Sequence, residues 1–183
     1  MVKPETPQGL IRLSDILAKT STKTSTKTST WRGSVLSIHI AAVGCGPMLS
    51  VAEARAIPGK GLEGDRYFLG TGSFSNRPRP GREITLIETE ALQALARDCS
   101  IRLEPSQARR NLVTTDVPLN HLVGEEFRVG DVTLMGVRLC EPCRLLEELV
   151  GRKVRPGLVH RGGLRAAILT EGTLRQGDRV HPI

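Results

Sequence analysis

The 183-residue chain has the length and composition of a globular domain. Hydrophobic residues make up 39% and charged residues 25%, but aromatic residues reach only 3%, so aliphatic side chains must form most of the core. No apolar run approaches the ~18 residues of a membrane-spanning helix, and the N-terminus lacks the apolar stretch of a secretory signal. We therefore expect a cytoplasmic protein without a membrane partner.

The net charge of +7 is distributed in a way that argues against a nucleic-acid partner. Residues 1–30 carry +3 and the remaining residues +4, and neither part contains a helix-turn-helix, zinc-finger or aromatic RNA-binding signature. In the second part the basic residues are mostly arginines, whose planar guanidinium groups suit phosphate and oxyanion recognition. A genome that favours arginine codons would explain that composition equally well.

Residues 1–30 have the composition of a flexible extension. A short segment with several aliphatic residues is followed by Ser21–Thr30, which repeats Ser-Thr-Lys-Thr without an apolar side chain. Such a segment cannot bury enough surface to offset the entropy lost on ordering. We place the folded domain at residues 31–183.

In chain order, that domain shows short strand patterns separated by glycine turns. Strands are predicted at 31–40, 51–57, 82–87, 126–129, 132–139, 166–170 and from 179, with helices at 88–98 and 145–150. The long loop 70–81 is predicted to be either a functional lid or disordered. The pattern lacks strand–helix alternation and a Gly-x-Gly-x-x-Gly motif. It predicts a mainly β fold with a few helices (α+β), barrel-like and not a doubly wound sheet.

The segment Cys140-Glu141-Pro142-Cys143 is where we expect the chemistry to lie. An alternating strand leads into it, and a short helix with one apolar side follows, ending at Gly151. Cys143 would then lie at the helix start, where unpaired backbone N–H groups favour a thiolate. Without a signal peptide, the four cysteines suggest free thiols in a reducing compartment.

Four interpretations of the cysteine pair remain open from the residues alone. A zinc site would need two more ligands, and no histidine pair has the spacing to supply them. A thioredoxin-type dithiol would have its reactive cysteine first, within a βαβ pattern that the sequence does not show. The pair could instead be buried and inert, or one thiolate could serve as a soft metal ligand or sulfur acceptor. Arg109, Arg110, Arg161 and Arg165 are candidates for oxyanion or phosphate capture, with a solvated basic surface as the alternative.

Five motifs in a fixed order resemble the MOSC domain, found at the C-terminus of molybdenum cofactor sulfurases. These are Gly-Leu-x-Gly-Asp-Arg (61–66), Arg-Arg-Asn-Leu-Val (109–113), Leu-x-x-Leu-Val-Gly-x-x-Phe-x-Val-Gly (119–130), Glu-Pro-Cys (141–143) and His-Arg-Gly-Gly-Leu-Arg-Ala (160–166). The resemblance runs from about Ser34 to the end of the chain. It implies a MOSC-type β-barrel-like fold and a function tied to the molybdenum cofactor (molybdopterin).

The resemblance also implies roles for particular residues. Cys143 matches the cysteine that ligates molybdenum in catalytic relatives that reduce N-hydroxylated compounds, so it is the expected catalytic and metal-binding residue. Arg109 matches an arginine that holds the pterin phosphate. The other expected cofactor-binding residues are Arg110, Asn111, Arg161 and Arg165.

Three activities follow as expectations from the resemblance. The first is molybdenum-dependent reduction, with electrons from a donor protein. The second is a non-catalytic carrier with a persulfide on Cys143, loaded by a cysteine desulfurase. The third is a module that only delivers cofactor to another enzyme. Pyridoxal phosphate is not expected, because no aminotransferase-like region is present to hold it.

Overall fold

The computed structural model describes residues 30–73, 75–76 and 81–183. The predicted extension at 1–30 lies almost entirely outside the described residues, as does part of the predicted lid loop. The strands are β1 Gly33–Ile40, β2 Leu49–Val51, β3 Glu53–Ile57, β4 Gly61–Leu62, β5 Ile84–Glu88, β6 Leu112–Thr115, β7 Glu126–Val129, β8 Val132–Leu139, β9 Leu164–Ile168, β10 Gly172–Arg175 and β11 Arg179–Pro182. The α-helices are α1 Thr89–Cys99, α2 Arg144–Val150 and α3 Arg155–Leu158.

Seven of the strands close into a mixed barrel in the order β1-β11-β7-β8-β9-β5-β6, with β6 pairing back to β1. The barrel is closed by β11, which pairs antiparallel with both β1 and β7. Strand β2 extends β1 outside the ring, and β10, β3 and β4 form a separate small sheet. The predicted β-rich, barrel-like fold with a few helices is confirmed.

The barrel interior is filled by aliphatic side chains, as the low aromatic content requires. The strands alternate as half-buried strands do, for example β7, in which Phe127 and Val129 are buried and their neighbours exposed. Phe127 is the aromatic member of a cluster of buried residues that otherwise consists of Leu, Ile, Val and Ala. The interior is therefore a packed core and leaves the site to the barrel's outer rim.

Strands β5 and β6 form the parallel pair of the barrel, and α1 is part of the crossover between them. Helix α1 buries Ala91, Leu92, Ala94 and Leu95 and ends at Ser100, which adopts the left-handed conformation at φ 56°. The sequence predicted this helix to within one residue at each end. It did not predict the parallel pairing, because strand neighbours are set by contacts distant in the sequence.

A second apolar cluster lies outside the barrel, where the three helices meet. Its buried members are Leu95, Leu103, Leu146, Val154 and Leu158. Helix α3 was not predicted: it has only four residues, with a proline in its first turn. Gly157 lets α3 approach α1, because a Cβ there would lie 2.5 Å from Leu95 Cδ1. This cluster anchors α2, the helix that follows the cysteine pair.

Several strand boundaries also differ from the prediction. The strand predicted at 51–57 is interrupted at Ala52, and the strand predicted at 166–170 begins earlier, at Leu164. Across the part of the chain that the structure describes, no helix is long and apolar enough to cross a membrane.

Candidate functional site

One pocket gathers most of the residues that the sequence singled out. Its cavity volume is about 70 Å³, or about 530 Å³ when the space open to solvent is counted. The pocket is lined by Gly44, Arg66, Tyr67, Ser73, Thr85, Arg109, Arg110, Cys140, Cys143, Leu145, Leu146, Leu149 and Arg165. Strands β5 and β9, the end of β8, the loop before β6 and the start of α2 all contribute to it.

The cysteine pair connects β8 to α2, as the sequence predicted. Cys143 is the residue before the helix, in an extended conformation, and its carbonyl accepts hydrogen bonds from the Leu146 and Glu147 amides. The helix ends at Gly151, which has a φ of 66°. Cys143 is exposed, whereas Cys140 is only 2% exposed, and neither forms a disulfide. The two thiols therefore differ in access to solvent although both line the pocket.

Arg110 holds the cysteine segment in place through the backbone. Its guanidinium donates to the carbonyls of Ala108 at 3.1 Å, Cys140 at 2.8 Å and Gly162 at 2.9 Å. The Cys140 amide also donates to the Gly163 carbonyl at 2.7 Å. A guanidinium has five N–H donors, so two of them are not used by these carbonyls. Arg110 thus fixes the end of β8 against the Gly162-Gly163 loop while its guanidinium lines the pocket.

Positions 162 and 163 of this loop need glycine because the loop lies in direct contact with neighbouring backbone. A Cβ at Gly162 would lie 2.6 Å from the Cys140 carbonyl oxygen and 3.0 Å from Pro142 Cδ. A Cβ at Gly163, where φ is 105°, would lie 2.0 Å from the Leu86 carbonyl oxygen. The Gly-Gly pair therefore positions the cysteine segment and does not act as a flexible hinge.

Arg109 precedes this clamp and adopts the left-handed conformation at φ 57°. Its Nη1 donates to the Gly46 carbonyl at 2.8 Å, which ties the loop after β1 to the pocket. Burial lowers the pKa of Arg109, and the nearby Arg66 lowers it further, while Cys45 and Asp65 act in the opposite direction. A half-buried guanidinium beside another cation is a site that an anion would stabilise.

Arg165, on β9, has a buried Nε without a hydrogen-bond partner among the described residues. An unpaired buried donor on a charged group costs free energy, so it is a sign of a missing acceptor. Because Arg165 lines the pocket, an acceptor bound there could satisfy it.

Asn111 lies beside Arg110 in sequence but does not line the pocket. Its Oδ1 accepts hydrogen bonds from the amide and hydroxyl of Thr85, and its Nδ2 donates to the His39 carbonyl and to Asp65. Both ends of its amide are therefore occupied within the fold. Asn111 links β1, β5 and β6 beneath the pocket, and the structure gives it no free group for a cofactor.

Arg161 is also placed away from the pocket. Its Nε donates to the Gly157 carbonyl at 2.6 Å and its Nη2 to Asp98 at 3.2 Å. These contacts join the loop after α3 to the end of α1. Of the five residues predicted to bind cofactor, the structure thus brings Arg109, Arg110 and Arg165 together with Cys143, and leaves Asn111 and Arg161 out.

Arg66 and Tyr67 line the pocket but were not singled out individually as site residues. Asp65 is buried, accepts hydrogen bonds from the Ala41 and Tyr67 amides, and pairs with Arg66 at 3.1 Å. The Arg66 guanidinium lies 5.3 Å from the centre of the Tyr67 ring. The Gly-Leu-x-Gly-Asp-Arg motif carried the signal, but on its own an Asp-Arg pair in a turn indicates local hydrogen bonding.

The lining has a strong excess of positive charge. It contains four arginines and no carboxylate among the described residues, since Asp65 lies behind Arg66. Low-dielectric surroundings strengthen attraction between such a cluster and an anion. The described residues contain no group of three or more His, Cys, Asp or Glu side chains able to hold a metal ion. The pocket therefore suits an anionic group, with one exposed thiol beside it.

Comparison with known protein families identifies the family of this chain. The sequence profile of the MOSC domain matches residues 64–181, which is more than half of the chain. The chain belongs to the MOSC domain family. The match spans the whole described pocket apart from Gly44. A search of curated proteins finds no match.

Solved structures support the MOSC fold at low sequence identity. The YuaD protein from Bacillus subtilis has a TM-score of 0.69 at 15% identity, over 82% of this chain and 96% of that one. YiiM from Geobacillus stearothermophilus has a TM-score of 0.63 at 13% identity, covering 82% and 75%. YiiM from Escherichia coli has a TM-score of 0.59 at 16% identity, covering 81% and 69%. At these identities, the similarity shows the fold alone.

The MOSC family is associated with the molybdenum cofactor, and the donor groups of this pocket fit such a group. Its phosphate and oxo oxygens are acceptors for guanidinium N–H groups, and the unpartnered Nε of Arg165 is a donor without an acceptor. A soft thiolate is a suitable ligand for a metal that arrives with other ligands of its own.

Proposed function

We propose that this MOSC protein binds the molybdenum cofactor in the cationic pocket, with Cys143 as the metal's thiolate ligand. The observation that carries the proposal is the convergence of four guanidinium groups and one exposed thiol on a single pocket without a lining carboxylate. Neither a buried structural cysteine pair nor a solvated basic surface requires that convergence.

The arginines would divide the work of binding between them. Arg109 and Arg165 line the pocket, and the Nε of Arg165 has no partner among the described residues, so these two would neutralise the phosphate and oxo groups. Arg66 is already paired with Asp65, and Arg110 is engaged with three carbonyls. These two would add positive potential to the pocket while keeping their hydrogen bonds within the fold. Bidentate guanidinium contacts give both affinity and orientation to a phosphate.

The side of the pocket formed by α2 is apolar. Leu145 and Leu149 line it together with Cys143, and Leu149 remains 38% exposed. An apolar surface here would exclude water from the thiolate and from a bound substrate. Excluding water also strengthens the electrostatic attraction across the pocket.

The reaction we propose is the two-electron reduction of an N-hydroxylated compound, in which the N–O bond breaks and two protons and two electrons yield the N–H compound and water. The cofactor, when bound, would supply the redox chemistry, and Cys143 would tune it as a ligand. Electrons would come from a donor protein. The chain's own groups would hold the cofactor, orient it and limit access of water.

This reaction can be tested with protein purified from a host that makes the cofactor. We expect a chemically reduced viologen dye to support conversion of an aryl N-hydroxylated compound to the N–H product. Cys143→Ser should abolish turnover, whereas Cys99→Ser, an exposed thiol outside the pocket lining, should not. Cofactor-loaded protein without turnover under any donor would contradict the reaction and favour a delivery module.

A second function, a persulfide carrier, is favoured by one observation: Cys143 is exposed and uncrosslinked. The carrier needs an accessible thiol but no cationic pocket. Incubation with a cysteine desulfurase and cysteine, followed by intact-mass measurement, separates the two functions. A reducible sulfur adduct that disappears in Cys143→Ser would support the carrier, and an unchanged mass would count against it.

A further inference from the structure

The two cysteines of the pocket differ in a way that the proposed function does not use. Cys143 is exposed at the start of α2, and Cys140 is buried at the end of β8, yet both line the same cavity of about 70 Å³. Only two residues separate them, so their Cα atoms lie within the ~10–11 Å that three extended residues span. A disulfide needs a Cα separation of about 4.4–6.8 Å, which lies within that reach.

We propose that Cys140 and Cys143 form a reversible dithiol–disulfide pair, in which a hydroperoxide oxidises Cys143 and Cys140 resolves it. The disulfide itself depends only on the chain's thiols. Its consequence for the cofactor, set out below, rests on the proposed function.

The backbone around Cys140 is fixed, and this assigns the two roles. Its amide is bonded to the Gly163 carbonyl, its carbonyl is bonded to Arg110, and the backbone of Gly162 packs directly against it. Cys140 therefore cannot reach solvent to meet an oxidant without disrupting the end of β8. Its thiol can react only with a group that reaches the cavity that Cys140 lines.

Cys143, by contrast, belongs to a segment that can adjust. Of the seven residues of α2, Leu146 is the buried one, and the others are exposed or half-buried. Arg144, the first residue of the helix, is bonded to Glu148 in a solvent-exposed pair of the kind that contributes little stability. The residues before Leu146, Cys143 among them, can therefore adjust towards Cys140 while Leu146 keeps α2 on its apolar cluster.

The chemistry balances with a hydroperoxide as the named oxidant. With hydrogen peroxide, the Cys143 thiol is oxidised to sulfenic acid, and the peroxide is reduced to water. The Cys140 thiol then attacks the sulfenic sulfur, the S–O bond breaks, and the disulfide forms with release of a second water. A dithiol reductant returns the disulfide to the two thiols by thiol–disulfide exchange and is itself oxidised to a cyclic disulfide. Because the resolving thiol is intramolecular, it competes well against a second peroxide.

Two consequences follow for the pocket. The disulfide protects Cys143 from irreversible oxidation to the sulfinic acid. It also removes the thiolate from the cofactor site, so that oxidised protein could not take up cofactor until it is reduced. The pair would thus be a redox lock on the empty pocket, with Cys140 outside the cofactor's ligand set.

Peptide mapping tests the pair directly, because trypsin should release both cysteines in one peptide, Leu139–Arg144. After a graded hydrogen peroxide dose and alkylation of remaining thiols, we expect this peptide to lose two hydrogens and both alkylation sites. Dithiothreitol should restore both sites. Cys45 and Cys99, both exposed, should remain alkylated over the same doses and serve as internal controls.

The variant Cys140→Ser provides the matched comparison, with Cys99→Ser as its control. We expect the peroxide dose that converts half of Cys143 to sulfinic acid to fall about tenfold in Cys140→Ser and to stay unchanged in Cys99→Ser. Equal over-oxidation in wild type and Cys140→Ser, or a disulfide from Cys143 to Cys45, would overturn the proposal. Made on cofactor-free protein, the wild-type map stands even if the variant folds poorly, and its result does not depend on whether the pocket can bind cofactor.

Discussion

At the scale of single residues, the four arginines of the pocket differ in what holds them. Arg110 donates to three backbone carbonyls and Arg66 pairs with Asp65, whereas the buried Nε of Arg165 has no described partner. Replacing each of these arginines should therefore change the free energy of unfolding by a different amount. The sequence could nominate arginines near the motifs but could not rank them, because their partners lie up to 63 residues away.

The contrast between Arg165 and Arg110 can be measured in a pair of variants. We expect Arg165→Ala to leave the urea unfolding midpoint nearly unchanged and to abolish stabilisation by inorganic phosphate, since it removes a donor without an acceptor. Arg110→Ala should lower the free energy of unfolding by about 2–4 kcal/mol, because buried carbonyls lose their donor. Equal destabilisation by the two variants would show that the ranking is wrong.

Glu88, the residue before α1, offers a residue-scale test of pH dependence. Burial raises the pKa of Glu88 and Glu90 adds to this, although the Leu119 amide, 2.7 Å from its Oε1, lowers it. A raised folded-state pKa means that ionising Glu88 costs stability as the pH rises through that pKa, whereas below the unfolded-state value the cost is absent.

The expected result for Glu88→Gln therefore depends on pH. At pH 7 to 8 the variant should be more stable than wild type, by about 1–3 °C in Tm, since glutamine keeps the acceptor for Leu119 and carries no charge. The gain should disappear near pH 4. Thermal unfolding followed by circular dichroism across this pH range measures the difference in Tm. A gain that grows as the pH falls would contradict a raised pKa for Glu88.

At the scale of elements, local pattern and capping residues were enough for the helices and hairpins with strong signals. Helix α2 begins after Cys143 and ends at Gly151, and the β7–β8 hairpin turns at Gly130 and Asp131, as the sequence predicted. The sequence did not predict the four-residue α3 or the interruption at Ala52, because neither produces a periodic pattern of apolar residues. Asn111 and Arg161 do not line the pocket for a related reason, because their side chains are bonded to partners in other elements.

The packing of the Gly162-Gly163 loop on the cysteine segment gives an element-scale prediction. Gly162→Ala should cost about 1–3 kcal/mol of folding free energy, because its Cβ would meet the Cys140 carbonyl and Pro142 and force the segment to move. Gly59→Ala is the control, since Gly59 has φ 72° and open space around it, so that only backbone strain is introduced. Chemical denaturation compares the two.

The displacement should also be visible at the thiol. In Gly162→Ala we expect the alkylation rate of Cys143 to change relative to wild type, while that of Cys45 stays constant. If Gly162→Ala costs no more than Gly59→Ala and leaves Cys143 reactivity unchanged, the loop does not position the cysteine segment.

At the scale of the whole molecule, the barrel explains why residues so far apart in sequence meet. Parallel pairing of β5 and β6 brings Thr85 beside the loop that carries Arg109 and Arg110, and β9, between β5 and β8, places Arg165 on the same rim as Cys140. Composition and strand patterns predicted a β-rich barrel-like fold. The order of strands around the ring, and so the pocket, depended on pairings that no local pattern encodes.

The most direct test of the central claim is the molybdenum and pterin content of protein purified from a cofactor-producing host. We expect both in near-equal amounts with wild-type protein, little metal with Cys143→Ala, and reduced pterin and metal with Arg109→Ala combined with Arg165→Ala. Cys99→Ser should match wild type. Wild-type protein free of molybdenum and pterin, or a content unchanged by Cys143→Ala, would contradict cofactor binding at this pocket.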